Sequence, residues 1–233
     1  RQAEQDAAEA VLARLLEFQH RASGHLRDLS GELRLGASNT IGNYLVGELL
    51  GGFVAAHPKV AVRLMVDNTE AIVAGLLDHS LDLGCVEGPV VHADLESRAW
   101  RDDALVVCAR PDHPLARRRT LQAKDFAGAR WILREHGSAT RAHSERVLAL
   151  LPPGETVLEL GQIEAIKQAV IAGLGIACLP RVAVSDALAA DRLKVLRTPF
   201  LDLQRRLSMV LHRATYRGAL IDAFLAAVAQ RPT

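Results

Sequence analysis

Two short clusters of hydroxyl, amide and guanidinium side chains have the chemistry to bind an anion. The first cluster is Ser38, Asn39 and Thr40, and the second contains Ser138, Thr140 and Arg141. Each cluster follows an apolar stretch and precedes a stretch with helical spacing of apolar residues. Backbone N–H groups at a helix start point towards bound anions, and guanidinium groups add charged hydrogen bonds. The sequence therefore predicts a cradle in two parts for a carboxylate, phosphate or sulfate.

A strand and a helix must position the first cluster. Leu33 and Leu35 alternate with polar residues before it, which indicates a short strand. Apolar residues then recur on one helix face, at positions Ile41, Leu45, Leu49 and Phe53. The alternative to ligand contact is that the cluster only caps this helix. Both roles are compatible, because a capped turn still offers free N–H groups.

The rest of the chain alternates apolar strands with amphipathic helices. Further strands are predicted at 60–66, 80–86, 95–100, 104–109, 130–133, 156–160, 176–179 and 207–212. Helices are predicted between most of them, with a short one at 120–126 and a closing one at 216–229. The order of elements in 33–86 recurs in 130–179. This order predicts an α/β protein with parallel, doubly wound sheets and functional groups at the strand C-termini.

Four more residues are candidates for the same site. Asn68 and Thr69 occupy the next strand-to-helix turn, where capping and ligand contact both stay open. Gln162 starts a later helix and is predicted to line the cleft, whereas Glu164 in the same turn is expected to cap that helix. Glu87 ends the third strand, and a carboxylate beside an anion is unfavourable unless a cation intervenes. Glu87 therefore accepts a hydrogen bond from a ligand hydroxyl or amine, pairs with Arg141, or lies in a solvated turn.

Composition narrows the functional classes. The 233 residues are 49% apolar and 24% charged, which is typical of a soluble globular protein. With 28 basic and 27 acidic residues, the net charge of +1 does not by itself indicate a nucleic-acid or membrane binder. Aromatic residues are only 4%, which disfavours stacking on bases. No apolar run is long enough for a membrane span, and the first residues are unlike a signal peptide.

Three cysteines, Cys85, Cys108 and Cys178, each lie in an apolar run. We expect buried, reduced thiols in a cytoplasmic protein. His136 and His143 have no third ligand at suitable spacing, so no metal site is predicted. No catalytic residues are predicted, because no Ser–His–Asp or Cys–His set is evident, and no cofactor is predicted, because no glycine-rich phosphate loop is evident.

Five short motifs, taken in order, resemble the effector-binding region of LysR-type transcriptional regulators. They are Gly36-Ala-Ser38, Leu81-Asp-Leu-Gly84, Pro111-Asp-His-Pro-Leu115, Gly137-Ser138 and Gly173-Leu-Gly-Ile-Ala-Cys-Leu-Pro180. The resemblance covers almost the whole chain. The turns at 86–89 and 134–141 further resemble a branch that includes regulators of sulfur assimilation and carbon-dioxide fixation.

The resemblance implies two Rossmann-like lobes with the fold of type II periplasmic binding proteins. The chain would cross between lobes near Asp103 and near Arg206. Lobe I would comprise 31–103 and 207–233, and lobe II would comprise 104–206. A small effector would bind between the lobes, where Ser38 and Thr40 match family positions whose hydroxyls contact it. Residues 1–29 have the apolar period of one amphipathic helix, and the resemblance makes 1–30 the end of a linker helix.

The resemblance also implies a function and partners. Binding of a small anionic metabolite would change the geometry of a homodimer or homotetramer, in which the helices beginning near Ile41 and Ile163 pair between subunits. DNA would be bound only by a winged helix upstream of Arg1, which we expect because the chain does not begin with Met. The main alternative is a solute-binding protein of a transport system, which shares the fold. An enzyme on the same fold is a third interpretation.

Overall fold

The computed structural model describes residues 29–229. The helix predicted for 1–29, and the linker segment 1–30 based on it, lie outside the described residues except for Leu29 and Ser30. Those two residues are in neither a helix nor a strand.

Within residues 29–229 the chain forms nine β-strands and six α-helices. In order they are β1 (Gly31–Ser38), α1 (Val46–Ala56), β2 (Val60–Asp67), α2 (Thr69–Leu77), β3 (Leu83–Glu87), β4 (Leu95–Ala109), β5 (Arg130–Arg134), α3 (Ala139–Leu148), β6 (Glu155–Leu160), α4 (Ile163–Ile171), β7 (Ala177–Pro180), α5 (Arg181–Ala189), β8 (Lys194–Val195), β9 (Gln204–His212) and α6 (Ala219–Ala229). A π-helical segment, Ile41–Leu45, precedes α1. The predicted α/β class and the repeated strand–helix order are confirmed.

The first half of the molecule is a sheet with helices on both faces. β1 pairs in parallel with β2 and with β3, and β9 joins antiparallel to β3. Leu33 and Leu35 project to the face covered by α1 and α6, where Phe53 packs edge-on against Phe224. The other face is covered by α2 through residues such as Ile72. The apolar period predicted for the first helix is confirmed, since all four of its residues are buried.

One strand joins the two halves. The first part of β4 pairs with β9, from Leu95 opposite His212 to Ala104 opposite Gln204. From Leu105 onwards β4 pairs with β7 instead. The sequence predicts two separate strands here, at 95–100 and 104–109. The structure joins them into one strand with a register shift at 99–101, because the chain passes from one half to the other without turning.

The second half repeats the strand–helix order of the first. β5 and β6 pair in parallel, and a bridge from Trp131 to Ile176 connects β5 to the segment that enters β7. Two apolar cores, one centred on α4 and α5 and the other on Trp131 and Phe126, hold the helices against these strands. The helix predicted at 120–126 is a short 3₁₀ turn, Ala123–Phe126, and the two-residue strand β8 has no counterpart in the sequence prediction.

The paired strands β4 and β9 place the two predicted crossing points side by side. Asp103 lies opposite Arg205, and Asp102 lies opposite Arg206. The exact division of the chain, with 31–103 and 207–233 in lobe I and 104–206 in lobe II, stays a prediction. The names lobe I and lobe II are used below for these ranges. None of the helices in 29–229 is both long enough and apolar enough to cross a membrane.

The centre of β1 offers a stability test of this architecture. Leu35 is fully buried between β2 and β3, whereas Val91 is 94% exposed in a loop. Leu35→Ala should lower the free energy of unfolding by about 2–5 kcal/mol, because it leaves a cavity in the core. Val91→Ala should change it by less than about 0.5 kcal/mol. Urea denaturation monitored by circular dichroism measures both. Equal effects of the two substitutions would contradict the assignment of β1 as a central strand.

Candidate functional site

The turn after β1 does not cap its helix through side chains. Thr40 takes the position before the first helical segment with a helical backbone, and its side chain makes no capping hydrogen bond. Asn39 Oδ1 accepts a hydrogen bond from Asn43 Nδ2 at 3.3 Å. Ser38 Oγ is buried and has no hydrogen-bond partner among the described residues. Buried hydroxyls are normally paired. Capping alone therefore does not account for Ser38 or Thr40.

Close packing of small residues brings this turn to the sheet edge. A Cβ added at Gly36 would lie 2.6 Å from Leu81 Cδ1 and 3.0 Å from Ile72, so β1 runs directly against α2 and the turn before β3. One at Gly42 would lie 2.5 Å from Val66 on β2. Only glycine leaves room for these approaches. They hold Ser38 and Thr40 next to the C-terminal end of β3.

In the second turn of lobe I, one residue caps the helix and the next is directed towards the site. Asn68 caps α2, because its Oδ1 accepts from the Ala71 N–H at 3.0 Å. Thr69 instead donates its hydroxyl hydrogen to Glu87 Oε2 at 3.4 Å. Asn68 thus has the structural role of a cap, and Thr69 is directed towards the end of β3.

In the corresponding turn of lobe II, one residue again caps the helix and another contacts the site. Ser138 caps α3, with Oγ accepting from the Arg141 N–H at 3.4 Å. Thr140, which is buried, accepts a hydrogen bond from Arg205 Nη1 at 3.0 Å. Gly137 has a φ of +84°, and its carbonyl accepts from the Glu70 N–H of lobe I at 3.1 Å. The two lobes are therefore in contact beside the site.

Arg205 is the residue that connects the two predicted clusters. It lies at the start of β9, and its side chain is 5% exposed. Nη2 donates to Thr40 Oγ1 in lobe I at 3.2 Å, and Nη1 donates to Thr140 Oγ1 in lobe II. Nε donates to Asp103 Oδ2 at 2.6 Å. One guanidinium thus holds hydroxyls from both lobes and the carboxylate at the neighbouring crossing point.

Arg205 is absent from the predicted site residues, although a signal for it exists. The sequence places the two crossings near Asp103 and Arg206, and each crossing has a charged residue. Strands that cross between lobes form the floor of the cleft, so opposite charges on both crossings indicate a buried pair. What the sequence does not indicate is which of the adjacent arginines, Arg205 or Arg206, faces inwards. The pleat decides this, because consecutive residues of a strand point to opposite faces.

Glu87 does not pair with Arg141, which was one of the interpretations left open. Its carboxylate is buried, and the cation nearest to it in the described chain is Arg205, with Nη2 3.8 Å from Oε1. Arg141 donates instead to Glu145 and Glu159 at 2.7 and 2.8 Å, and to the Arg134 carbonyl at 2.6 Å. Arg141 is therefore held within lobe II, and Arg205 takes the place that the sequence assigns to Arg141 in the Glu87 pair.

Gln162 is exposed at the start of α4, and its side chain does not cap the helix. Two residues later, Glu164 Oε2 accepts from the hydroxyl of Tyr44 at 3.2 Å, which is a further contact between the lobes. Burial and the Glu164 carboxylate raise the pKa of Tyr44, so the phenol keeps the hydrogen that it donates. The structure brings Thr40, Thr140 and Glu87 together around Arg205, with Thr69 bonded to Glu87 and Ser38 two residues before Thr40 in the same turn. It does not bring Gln162 or the Arg141 guanidinium to that group.

The chemistry of this cluster suits binding better than catalysis. Arg205 bonds to the hydroxyls of Thr40 and Thr140 and to the carboxylate of Asp103, which is 10% exposed, and it lies 3.8 Å from the buried carboxylate of Glu87. The residues that the structure describes contain no group of three metal-binding side chains. The cysteines are buried and unpaired, and burial raises the pKa of each thiol, that of Cys178 to about 12. A surface cavity of about 670 Å³, lined by 115–120 and 194–197, contains none of the predicted site residues.

Comparisons with known proteins identify a family for this chain. Residues 26–232 match the family described as LysR substrate binding domain. The HTH-type transcriptional regulator YeiE of Escherichia coli (strain K12) is 38% identical over 200 residues, which are 85% of this chain and 68% of YeiE. A RuBisCO operon transcriptional regulator of Acidithiobacillus ferrooxidans is 33% identical over 180 residues, which are 76% of this chain and 57% of that protein.

A solved structure of the same fold has a bound ligand. The regulatory domain of CcmR from Synechocystis PCC6803, in complex with 2-PG, is 31% identical in sequence and superposes with a TM-score of 0.79. The match covers 86% of this chain and 96% of that domain. The chain is thus similar in length to an isolated regulatory domain, whereas it spans about two thirds or less of the two curated regulators.

Two neighbouring ion pairs on β4 and β9 give a matched test of the site. Arg205→Met should lower the free energy of unfolding by about 3–5 kcal/mol, because it leaves the Asp103 carboxylate buried without a cation. Arg206→Met removes the exposed pair with Asp102, whose side chains are 69% and 78% exposed, and should cost less than about 1 kcal/mol. Adding Asp103→Asn to Arg205→Met should recover part of the loss. Urea denaturation of all variants measures this, and equal costs for the two arginines would contradict the buried pair.

Proposed function

The chain belongs to the family of LysR substrate binding domains, and we propose that it binds a small anionic effector between its lobes as the sensing region of a DNA-binding transcriptional regulator. The two relatives named above are transcriptional regulators, and the chain spans 68% of the length of YeiE. DNA binding would belong to a segment outside this chain, of the winged-helix kind that the resemblance implies. This chain would supply the cleft, and binding of the effector there would change the contacts between subunits.

The observation that carries the proposal is the bridge from Thr40 through Arg205 to Thr140. Each threonine hydroxyl accepts from the guanidinium, so its own hydrogen is left to donate. Ser38 adds a third hydroxyl, which has no partner among the described residues. Hydroxyl hydrogens, a guanidinium and the N-terminal ends of α2 and α3 together favour an acceptor-rich, negatively charged ligand. A carboxylate, a phosphate or a sulfur oxyanion has that chemistry.

Of the predicted effector ligands, five are retained in the proposal: Thr40, Thr140 and Glu87 lie around Arg205, Thr69 bonds to Glu87, and Ser38 precedes Thr40 in the same turn. Asn68 and Ser138 serve as caps that leave the first backbone N–H groups of α2 and α3 near the cleft. Asn39 is bonded to Asn43 beside them. Arg141 and Gln162 would take part only if the lobes rearranged when the effector binds.

Contacts between the lobes supply a route for the signal. In this arrangement the Glu70 N–H reaches the Gly137 carbonyl, Tyr44 reaches Glu164, and Arg205 bonds to both lobes. A ligand shifts such an arrangement only by binding one lobe spacing better than another. An anion that takes hydrogen bonds from both Thr40 and Thr140 favours one spacing, and so changes how α1 and α4 are presented to another subunit.

The outer face of α1 suits contact with a second copy of the chain. Gly47 and Gly51 lie one helical turn apart, and a Cβ added at either would meet no described atom within 4 Å. Val54 on the same helix is 43% exposed. Small residues on an exposed helix let a neighbouring helix approach closely. We propose a homodimer or homotetramer in which α1 packs against α4 of another subunit.

The other functional classes have less support. A solute-binding protein for transport would share the fold, but the family and the two relatives named above are those of regulators. An enzyme would require a nucleophile or a paired acid and base, and the three thiols are uncharged and buried. We therefore propose that the chain is not an enzyme, and that it acts in the cytoplasm, where a regulator meets DNA.

Ser38→Ala separates binding from folding. Because Ser38 Oγ makes no hydrogen bond, the substitution should change the free energy of unfolding by less than about 0.5 kcal/mol. It should weaken the binding of the anion about tenfold or more, since a hydrogen bond to a charged group is lost. The anion is first identified by thermal-shift screening with small carboxylates, phosphates and sulfur oxyanions, and affinity is then measured by calorimetry.

Ser185→Ala is the control for this substitution, because Ser185 is exposed on α5 and bonds only to its own helix. Thr140→Ala should also weaken anion binding, with an additional loss of stability because Arg205 loses an acceptor. Unchanged affinity in both Ser38→Ala and Thr140→Ala would show that the effector binds elsewhere.

Gly51→Leu tests the proposed contact between subunits. The added Cβ would meet no described atom within 4 Å in the single subunit, and leucine favours a helix more than glycine does, so the thermal unfolding midpoint measured at low protein concentration should not fall. It would hold α1 away from a partner helix, and light scattering should show a shift from dimer towards monomer. Ala142→Leu, on the exposed side of α3, is the control and should leave the measured mass unchanged. A monomeric wild-type chain, or a dimer in both variants, would be evidence against packing through α1.

A further inference from the structure

Glu87 is a buried carboxylate with too few hydrogen bonds. Its side chain is 4% exposed, at the C-terminal end of β3 and beside the proposed effector cleft. Thr69 Oγ1 donates to Oε2 at 3.4 Å, which is long for a bond between two oxygens. The Arg205 nitrogen lies 3.8 Å from Oε1, beyond hydrogen-bond length. A carboxylate can accept about four hydrogen bonds, and buried polar groups are normally paired. Glu87 therefore has unused acceptor capacity.

Arg205 does not compensate for this deficit. Its shortest contact is with Asp103, at 2.6 Å, so its charge is already shared with a nearer carboxylate. Next to Glu87 the described residues thus place one guanidinium, that of Arg205, and a second carboxylate, that of Asp103. A fully deprotonated anion placed beside Glu87 would face a like charge that Arg205 offsets only in part, in a buried site, which disfavours binding. A hydrogen atom between the ligand and Glu87 removes this repulsion and supplies the missing bond.

One nitrogen of Arg205 lies between the hydroxyl of Thr40 and the carboxylate of Glu87. Arg205 Nη2 lies 3.2 Å from Thr40 Oγ1 and 3.8 Å from Glu87 Oε1. The same guanidinium nitrogen therefore borders the hydroxyls that suit the anionic group and the carboxylate that needs a donor. A small ligand that contacts both can therefore bring a donor close to its charged group within reach of Glu87.

We propose that Glu87 makes the cleft selective for anions that carry a hydrogen-bond donor on or next to the charged group. Protonated oxyanions, such as hydrogen phosphate, and 2-hydroxy acids have this chemistry. Sulfate and simple carboxylates do not. In the bound state Ser38, Thr40 and Thr140 donate to the anionic oxygens, and Glu87 accepts from the ligand's own O–H. This inference rests on the proposed function, because it concerns the same cleft.

Calorimetry with two matched pairs of probes tests the inference. Phosphate is compared with sulfate, and glycolate with acetate, at neutral pH, where phosphate still carries hydrogen. The wild-type chain should bind the first member of each pair at least about tenfold more tightly, the usual contribution of one hydrogen bond to a charged group. In Glu87→Gln the repulsive charge is gone and the amide N–H can donate. Sulfate and acetate should then bind about as well as their partners, to within about threefold.

Glu155→Gln is the control, because Glu155 is exposed on β6 and away from the cluster. It removes the same charge and should retain the wild-type preference. Thermal unfolding checks that Glu87→Gln is folded, and if it is not, Glu87→Ser serves the same comparison with a smaller neutral side chain.

The outcomes separate this inference from the proposed function. Binding of both members of each pair with equal affinity by the wild-type chain would contradict the role of Glu87 and leave the anion cleft supported. A preference that persists in Glu87→Gln would do the same. If no probe binds to the wild-type chain or to either Glu87 variant, the anion cleft itself is contradicted.

Discussion

The buried contact between Arg205 and Asp103 is the interaction on which the site depends. Both residues lie where β4 and β9 pass between the lobes, and their pairing at 2.6 Å directs the guanidinium into the cleft. From there it can reach Thr40 in one lobe and Thr140 in the other. A side chain anywhere else on either lobe would have to span the cleft. Position at the crossing gives one residue access to both sides.

This arrangement leaves some buried polar groups with fewer hydrogen bonds than they can form. Ser38 has a buried hydroxyl without a hydrogen bond, and Glu87 has a buried carboxylate with one long one. Such groups lower stability, and proteins tolerate few of them. Equivalent positions in the neighbouring turns, Asn68 and Ser138, are satisfied as helix caps. Ser38 and Glu87 lie beside the proposed cleft, where a ligand can complete them, whereas two other buried atoms without a partner among the described residues, His57 Nδ1 and Arg101 Nε, belong to other parts of the fold.

Most of the secondary structure could be predicted because its signals are local. The alternation of Leu33 and Leu35 and the helical spacing from Ile41 to Phe53 correspond to buried faces in the structure. β4 is the clearest difference, since its polar middle, 100–103, interrupts the apolar pattern. That part of the strand is polar because it leaves the core of one lobe to enter the other, and pairing with β9 keeps it extended. The sequence also does not distinguish helix capping from ligand contact, because the same hydroxyl and amide side chains suit both roles. Only the hydrogen bonds in the structure distinguish Ser138, which caps a helix, from Ser38, which does not.

The sequence by itself determined the α/β class, the repeated strand–helix order, and the turns where hydroxyl groups meet the ends of strands. These follow from periodicities of two and 3.6 residues and from turn chemistry, which act over a few neighbouring positions. Only the tertiary structure decided that Arg205 faces the cleft, that Glu87 lies beside it, and that Arg141 is held by Glu145 and Glu159. Those contacts join residues far apart in the chain, and they depend on strand pairing and on the relative positions of two lobes. Local sequence patterns specify neither the strand pairing nor the relative positions of the lobes.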